Sequence, residues 1–92
     1  MSEEKKKEGL NIELGEEIAQ GTYSNLAIIN HSPSEFIIDF IQMMPGVPKA
    51  KVKSRIILTP QHAKRLMKAI VDNISKFEGQ FGEIADVDPN KG

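Results

Sequence analysis

The reactive side chains fall into one short cluster, a few carboxylate pairs and one basic run. His31-Ser32-Pro33-Ser34-Glu35 puts an imidazole, two hydroxyls and a carboxylate within five consecutive positions. These are the ingredients of nucleophilic catalysis, in which a base takes a hydroxyl proton and a carboxylate orients the base. Successive residues of extended chain point to opposite sides, and Pro33 marks a tight turn, so the groups need not converge. There is no Gly-x-Ser-x-Gly elbow, no glycine-rich phosphate loop and no dinucleotide fingerprint. His31 and His62 are the only histidines and there is no cysteine, so a metal would lack a third strong ligand. Glu16 with Glu17, and Glu35 with Asp39, pair carboxylates in positions where solubility and strand register explain them. No catalytic, cofactor or metal site is expected, and the protein is not expected to be an enzyme.

Between Lys49 and Lys68 lie seven bases and no acid. Lys51, Lys53 and Arg55 recur at period two, which puts them on one face of a strand. Lys64, Arg65 and Lys68 follow on the first turns of a helix and extend that surface if the two lie alongside. Such a stripe can hold the phosphates of a nucleic acid or another polyanion. No aromatic residue interleaves it, as stacking on single strands needs. Asp39, one strand earlier, meets Lys53 or Arg55 in one antiparallel register, and cross-strand charge pairs and edge lysines are ordinary features of a solvated sheet. Polyanion binding through these six residues is therefore the alternative, not the first reading. Met43-Met44-Pro45-Gly46-Val47 is an apolar loop, and methionines suit adaptable apolar contacts.

The elements that must position these residues are marked by their periodicity. Leu10, Ile12 and Leu14 alternate with polar residues over Leu10–Leu14, a half-buried strand. Gly15–Gly21 continues that strand past a bulge or forms a short turn. Thr22–Asn30 is apolar on both sides and reads as a strand that is central or covered on both faces. Ser32-Pro33-Ser34 turns the chain. Glu35–Met43 follows as a strand, with Phe36, Ile38 and Phe40 on the core face and Ile37, Asp39 and Ile41 on the other. Over Ala50–Leu58, Val52, Ser54, Ile56 and Leu58 share the face opposite the bases. Thr59 is a helix cap and Pro60 fits the first helical position. Ala63, Leu66, Met67, Ile70, Ile74 and Phe77 then recur at helical spacing, and Gly79 is the expected stop.

The expected fold is α+β: an antiparallel meander sheet of three to four strands, followed by one long C-terminal helix packed on one face. Its helix covers Phe36, Ile38, Phe40, Val52, Ile56 and Leu58. One domain spans residues 10–82, between a disordered N-terminal tail, residues 1–9, and a flexible C-terminal tail, residues 83–92. Ile37 and Ile41 are left on the far face, and with Met43, Met44 and Val47 they form the expected interface with a second copy or another protein.

Net charge is -1 over 92 residues, so global charge gives no case for nucleic acid or an acidic membrane. The first 45 residues hold eight acids and three bases, and the remainder nine bases and five acids. No stretch approaches the roughly 20 apolar residues needed to cross a bilayer, and Met1–Gly9 lacks the apolar core of a secretion signal. A cytoplasmic protein without cofactors or membrane contact is expected.

Four segments carry a family resemblance: His31-Ser32-Pro33-Ser34-Glu35-Phe36, Asp39-Phe40, Ser54-Arg55-Ile56 and Pro60-Gln61-His62-Ala63-Lys64-Arg65-Leu66. On these the chain resembles the small bacterial and archaeal proteins grouped as domain of unknown function three-four-six-seven, over roughly Leu10–Phe81. That family has no assigned activity, so the resemblance implies no residue roles. In architecture alone, a meander followed by a long helix is similar to the export chaperone SecB. The reading is a non-enzymatic binding or scaffolding module that self-associates through an apolar sheet face. Its alternatives are polyanion binding and SecB-like holding of unfolded chains.

Overall fold

The computed structural model describes residues 3–7 and 9–86. Strand β1, Glu3–Lys7, and strand β2, Leu10–Leu14, pair antiparallel as a two-stranded sheet, with Lys5 opposite Ile12. The charged composition of Met1–Gly9 predicts disorder, but the alternating Leu10–Leu14 strand supplies a backbone edge on which Glu3–Lys7 forms a ladder. The expected N-terminal tail also includes Met1, Ser2 and Glu8, which lie outside the described residues, as do residues 87–92 of the expected C-terminal tail. Gly15 precedes a single helical turn, α1, Glu16–Ala19, so the segment after β2 is a turn and not a continued strand.

The main sheet is a three-stranded antiparallel meander of β3 (Leu26–His31), β4 (Phe36–Gln42) and β5 (Lys51–Leu58), in that order. The β3–β4 turn is closed by Ser32, whose N–H donates to the Glu35 carbonyl at 2.9 Å. Its hydroxyl oxygen accepts from the N–H groups of Ser34 and Glu35. The long helix α2, Pro60–Phe81, follows at once. Thr59 caps it as its composition predicts, its hydroxyl accepting from the His62 N–H at 3.1 Å. The helix runs straight through Gly79 and ends at Gly82, which takes φ +99°, a conformation that favours glycine, and donates to the Glu78 carbonyl.

Register assigns the two faces, because directly opposed residues of an antiparallel pair share one. Ile29, Ile38 and Ile56 lie across the sheet on the face toward α2, with Phe36 and Leu58 beside them. Ile28, Asp39 and Arg55 lie across the other, with Ile37 and Ile57. The register shifts between Phe40 and Ile41: Phe40 pairs with Ser54 and Ile41 with Val52, skipping Lys53. An extra residue in one strand moves every side chain beyond it to the opposite face. Val52 therefore joins Ile41 on the Asp39 face and not the core face that its alternation predicts.

β3, expected to be central or covered on both faces, is an edge, and β4 is the centre. Among the described residues only Ile38, Ile41 and Leu58 are buried apolar side chains, and no residue of α2 is buried. The helix rests on the sheet by its first turns, where Pro60, Ala63 and Leu66 are half-buried. Beyond them Met67, Ile70, Val71, Ile74 and Phe77 stand exposed. The radius of gyration is 16.2 Å, whereas a compact chain of this length has about 12 Å. No helix among the described residues is long and apolar enough to cross a membrane.

Candidate functional site: an open apolar groove and a bare sheet edge

The most developed apolar surface lies where α2 leaves the sheet. Ile29, Phe36, Ile38 and Leu58 form its floor, and Ala63, Met67, Ile70 and Val71 its helical wall. The space between them is about 650 Å³. Lys64 stands in the wall as its only charged side chain. A second groove of about 470 Å³ lies further along the helix, against Ile74, Phe77 and Ile84. The segment after the helix is held there by the Ile84 N–H, which donates to the Glu78 carboxylate at 2.9 Å. Phe77 and Phe81 contact one turn apart at 5.0 Å between ring centres.

The residues expected at an interface are not brought to one surface. Ile41 is 6% exposed and belongs to the chain's own core. Ile37 is half-buried on the Asp39 face, between Asn30 and Ile57. Met43 is half-buried and pinned at the end of β4: its N–H donates to the Asn25 carboxamide oxygen at 2.8 Å, and its carbonyl accepts from Asn25 Nδ2 at 3.0 Å. Asn25 thus mimics a strand partner through its side chain. Met44 and Val47 are exposed on a turn closed by the Val47 N–H to the Met44 carbonyl, with Gly46 at φ +77°.

The basic residues are divided between two sides. Arg55 points to the face away from α2, where it forms a two-pronged ion pair with Asp39 directly opposite. Nε donates to one carboxylate oxygen at 2.7 Å and Nη2 to the other at 2.9 Å. Asp39 is buried, and these hydrogen bonds outweigh the opposing effect of its burial, holding its carboxyl below the ordinary 3.8. The same contact raises the Arg55 guanidinium above its ordinary value. Lys64 belongs to the groove on the other side of the sheet. Arg65 and Lys68 are exposed on α2, and Lys51 and Lys53 on β5. The strand and helix bases therefore do not merge into one stripe. His31 stacks on Phe36 across the β3–β4 pair, ring centres 5.5 Å apart, while Ser32 is committed to its turn. No group of His, Asp and Glu among the described residues is placed to hold a metal.

Sequence reasoning missed the groove and the free edge of β3. The signal for both was present. Thr22–Asn30 carries apolar residues on both faces and no charge, a pattern shared by strands buried inside one chain and strands buried between chains.

A three-stranded antiparallel meander with a long C-terminal helix, its apolar surfaces largely open, defines a small α+β domain. The chain belongs to the family described as protein of unknown function (DUF3467), whose model matches residues 1–86. No curated protein and no solved structure matches it.

Proposed function

We propose that the protein is a non-enzymatic binding module that self-associates through its apolar surface. The observation that carries this reading is area. A compact chain of 10.2 kDa exposes about 5,300 Å², and this one exposes 8434 Å². Much of that exposed surface is apolar and continuous in the fold: Ile29 and Ile56 on the sheet, Met67, Ile70, Ile74 and Phe77 on the helix. Obligate homodimers bury roughly 2,000–5,000 Å² in total, about 1,000–2,500 Å² per copy, so a second copy hides a large part of this excess. Burial at about 25 cal/mol per Å² makes such surface costly to leave in water.

The engagement of Arg55 by Asp39 favours this reading over polyanion binding, because the one guanidinium of the strand stripe already has its partner. The test is solution mass by light scattering behind size exclusion, at low and high salt. A dimer or higher oligomer at micromolar concentration, unchanged by salt, is expected. A monomer across that range would overturn the reading.

A further inference from the structure

We propose that two copies join edge to edge through β3, antiparallel about a two-fold axis at Ile29, to form one continuous six-stranded sheet. This rests on the self-association reading and names the surface that performs it.

The two edges of the sheet are built differently. The β5 edge carries Lys51, Lys53 and Arg55 within five residues. Lysines on an edge are a recognised defence against strand addition, and a two-fold pairing of β5 would bring bases against bases. The β3 edge, Leu26-Ala-Ile-Ile-Asn-His31, has no charged residue, no proline and no bulge. Its Ile28 and Ile29 are 48% and 58% exposed on opposite faces.

Hydrogen-bond parity shows which backbone groups are free. Ser32 donates to Glu35 across the turn, and the ladder continues from His31 opposite Phe36. In an antiparallel pair alternate residues bond inward, so Asn30, Ile28 and Leu26 face β4. The N–H and C=O groups of Ala27, Ile29 and His31 face outward, and no backbone partner lies beyond them among the described residues.

A two-fold axis at Ile29 uses all three. Ile29 pairs with Ile29 of the second copy, and Ala27 with His31, giving six new backbone hydrogen bonds about the axis. On the other face Ile28 lies opposite Asn30. No like charges meet. The groove floor at Ile29 and Ile38 then continues across the axis into that of the second copy, so the strand pairing and the apolar surface close together.

The chain has no cysteine, so Ile29→Cys has one thiol and any cross-link is intermolecular. Directly paired strand residues have Cα atoms about 5.5 Å apart, within the range a disulfide spans. Under mild oxidation Ile29→Cys is expected to give a covalent dimer, while Lys53→Cys on the opposite edge stays uncross-linked. Ala27→Pro removes an outward N–H and leaves the β3–β4 ladder its bonds. It is expected to weaken dimerisation on the order of 100-fold, with its circular dichroism unchanged and Ala27→Val still dimeric. A wild-type dimer in which Ile29→Cys does not cross-link and Ala27→Pro has no effect would overturn the β3 pairing and leave self-association standing. Preferential cross-linking of Lys53→Cys would do the same. A wild-type monomer would overturn both.

Discussion

Asp39 is the one buried charged side chain among the described residues, and everything about it depends on Arg55. The β4–β5 register puts the two opposite, and the guanidinium fork meets both carboxylate oxygens. The carboxyl is held below its ordinary value, so the folded state binds that proton less readily than the unfolded chain. Its contribution is then fully present above the unfolded value, near pH 4, and is lost as pH falls through the lower folded one. Denaturant melts of the wild type from pH 7 down to pH 2 are expected to show a loss of stability that Asp39→Asn lacks over the same window. A parallel slope in the variant would assign the acid sensitivity to other carboxylates. Arg55→Ala is expected to be the more damaging change, since it leaves a buried carboxylate without its partner, whereas Asp39→Asn removes the charge itself. Comparing the two midpoints at pH 7 checks that order. Among the neighbours, Ile38 is closely packed at 9% exposure, and Ile38→Ala is expected to cost about 2–4 kcal/mol in the same melts.

At the scale of elements, the chain is most legible where a local rule decides. Thr59-Pro60 announces the start of α2, and the hydroxyl cap is there. Because that helix is open along most of its length, its stability leans on local terms more than a packed helix would. Thr59→Ala is expected to cost about 1 kcal/mol, and hydrogen exchange over Pro60–Leu66 should speed up before exchange in β4 does. Equal acceleration in both would mean the helix and sheet open as one unit. The far end is less legible because two glycines stand three residues apart, Gly79 and Gly82. Only the positive φ that ends the helix distinguishes them, and Gly82 has it. Alternation puts Val52 on the wrong face because a bulge is a property of a strand pair. Alternation along β5 alone does not reveal that β4 skips Lys53. The N-terminal hairpin is invisible for a related reason: the pairing of its charged half with Leu10–Leu14 is a property of the strand pair and not of its own composition.

At the scale of the whole molecule, the pattern that misplaced β3 is the one that carries the functional reading. A strand apolar on both faces must be covered on both, and a sequence does not say whether the cover comes from the same chain. Here the chain itself leaves Ile28, Ile29, Ile57 and the outer turns of α2 exposed. The intrachain core of Ile38, Ile41 and Leu58 is small for a sheet and a six-turn helix. On the proposed self-association, a domain with so little buried of its own draws its remaining stability from the second copy. Unfolding is then coupled to dissociation, and stability depends on protein concentration by mass action. For a dimer that melts directly to two unfolded chains, raising the concentration 100-fold stabilises the folded state by about 2.7 kcal/mol. Two chains of this length melt together, so that is expected to raise Tm by roughly 5–10 °C. Calorimetric scans from 5 to 500 µM measure it. In Ala27→Pro, where dimerisation is expected to be on the order of 100-fold weaker, Tm should be lower at every concentration. A concentration-independent Tm in the wild type would mean that the thin core is sufficient alone and that the exposed isoleucines serve a partner other than this chain.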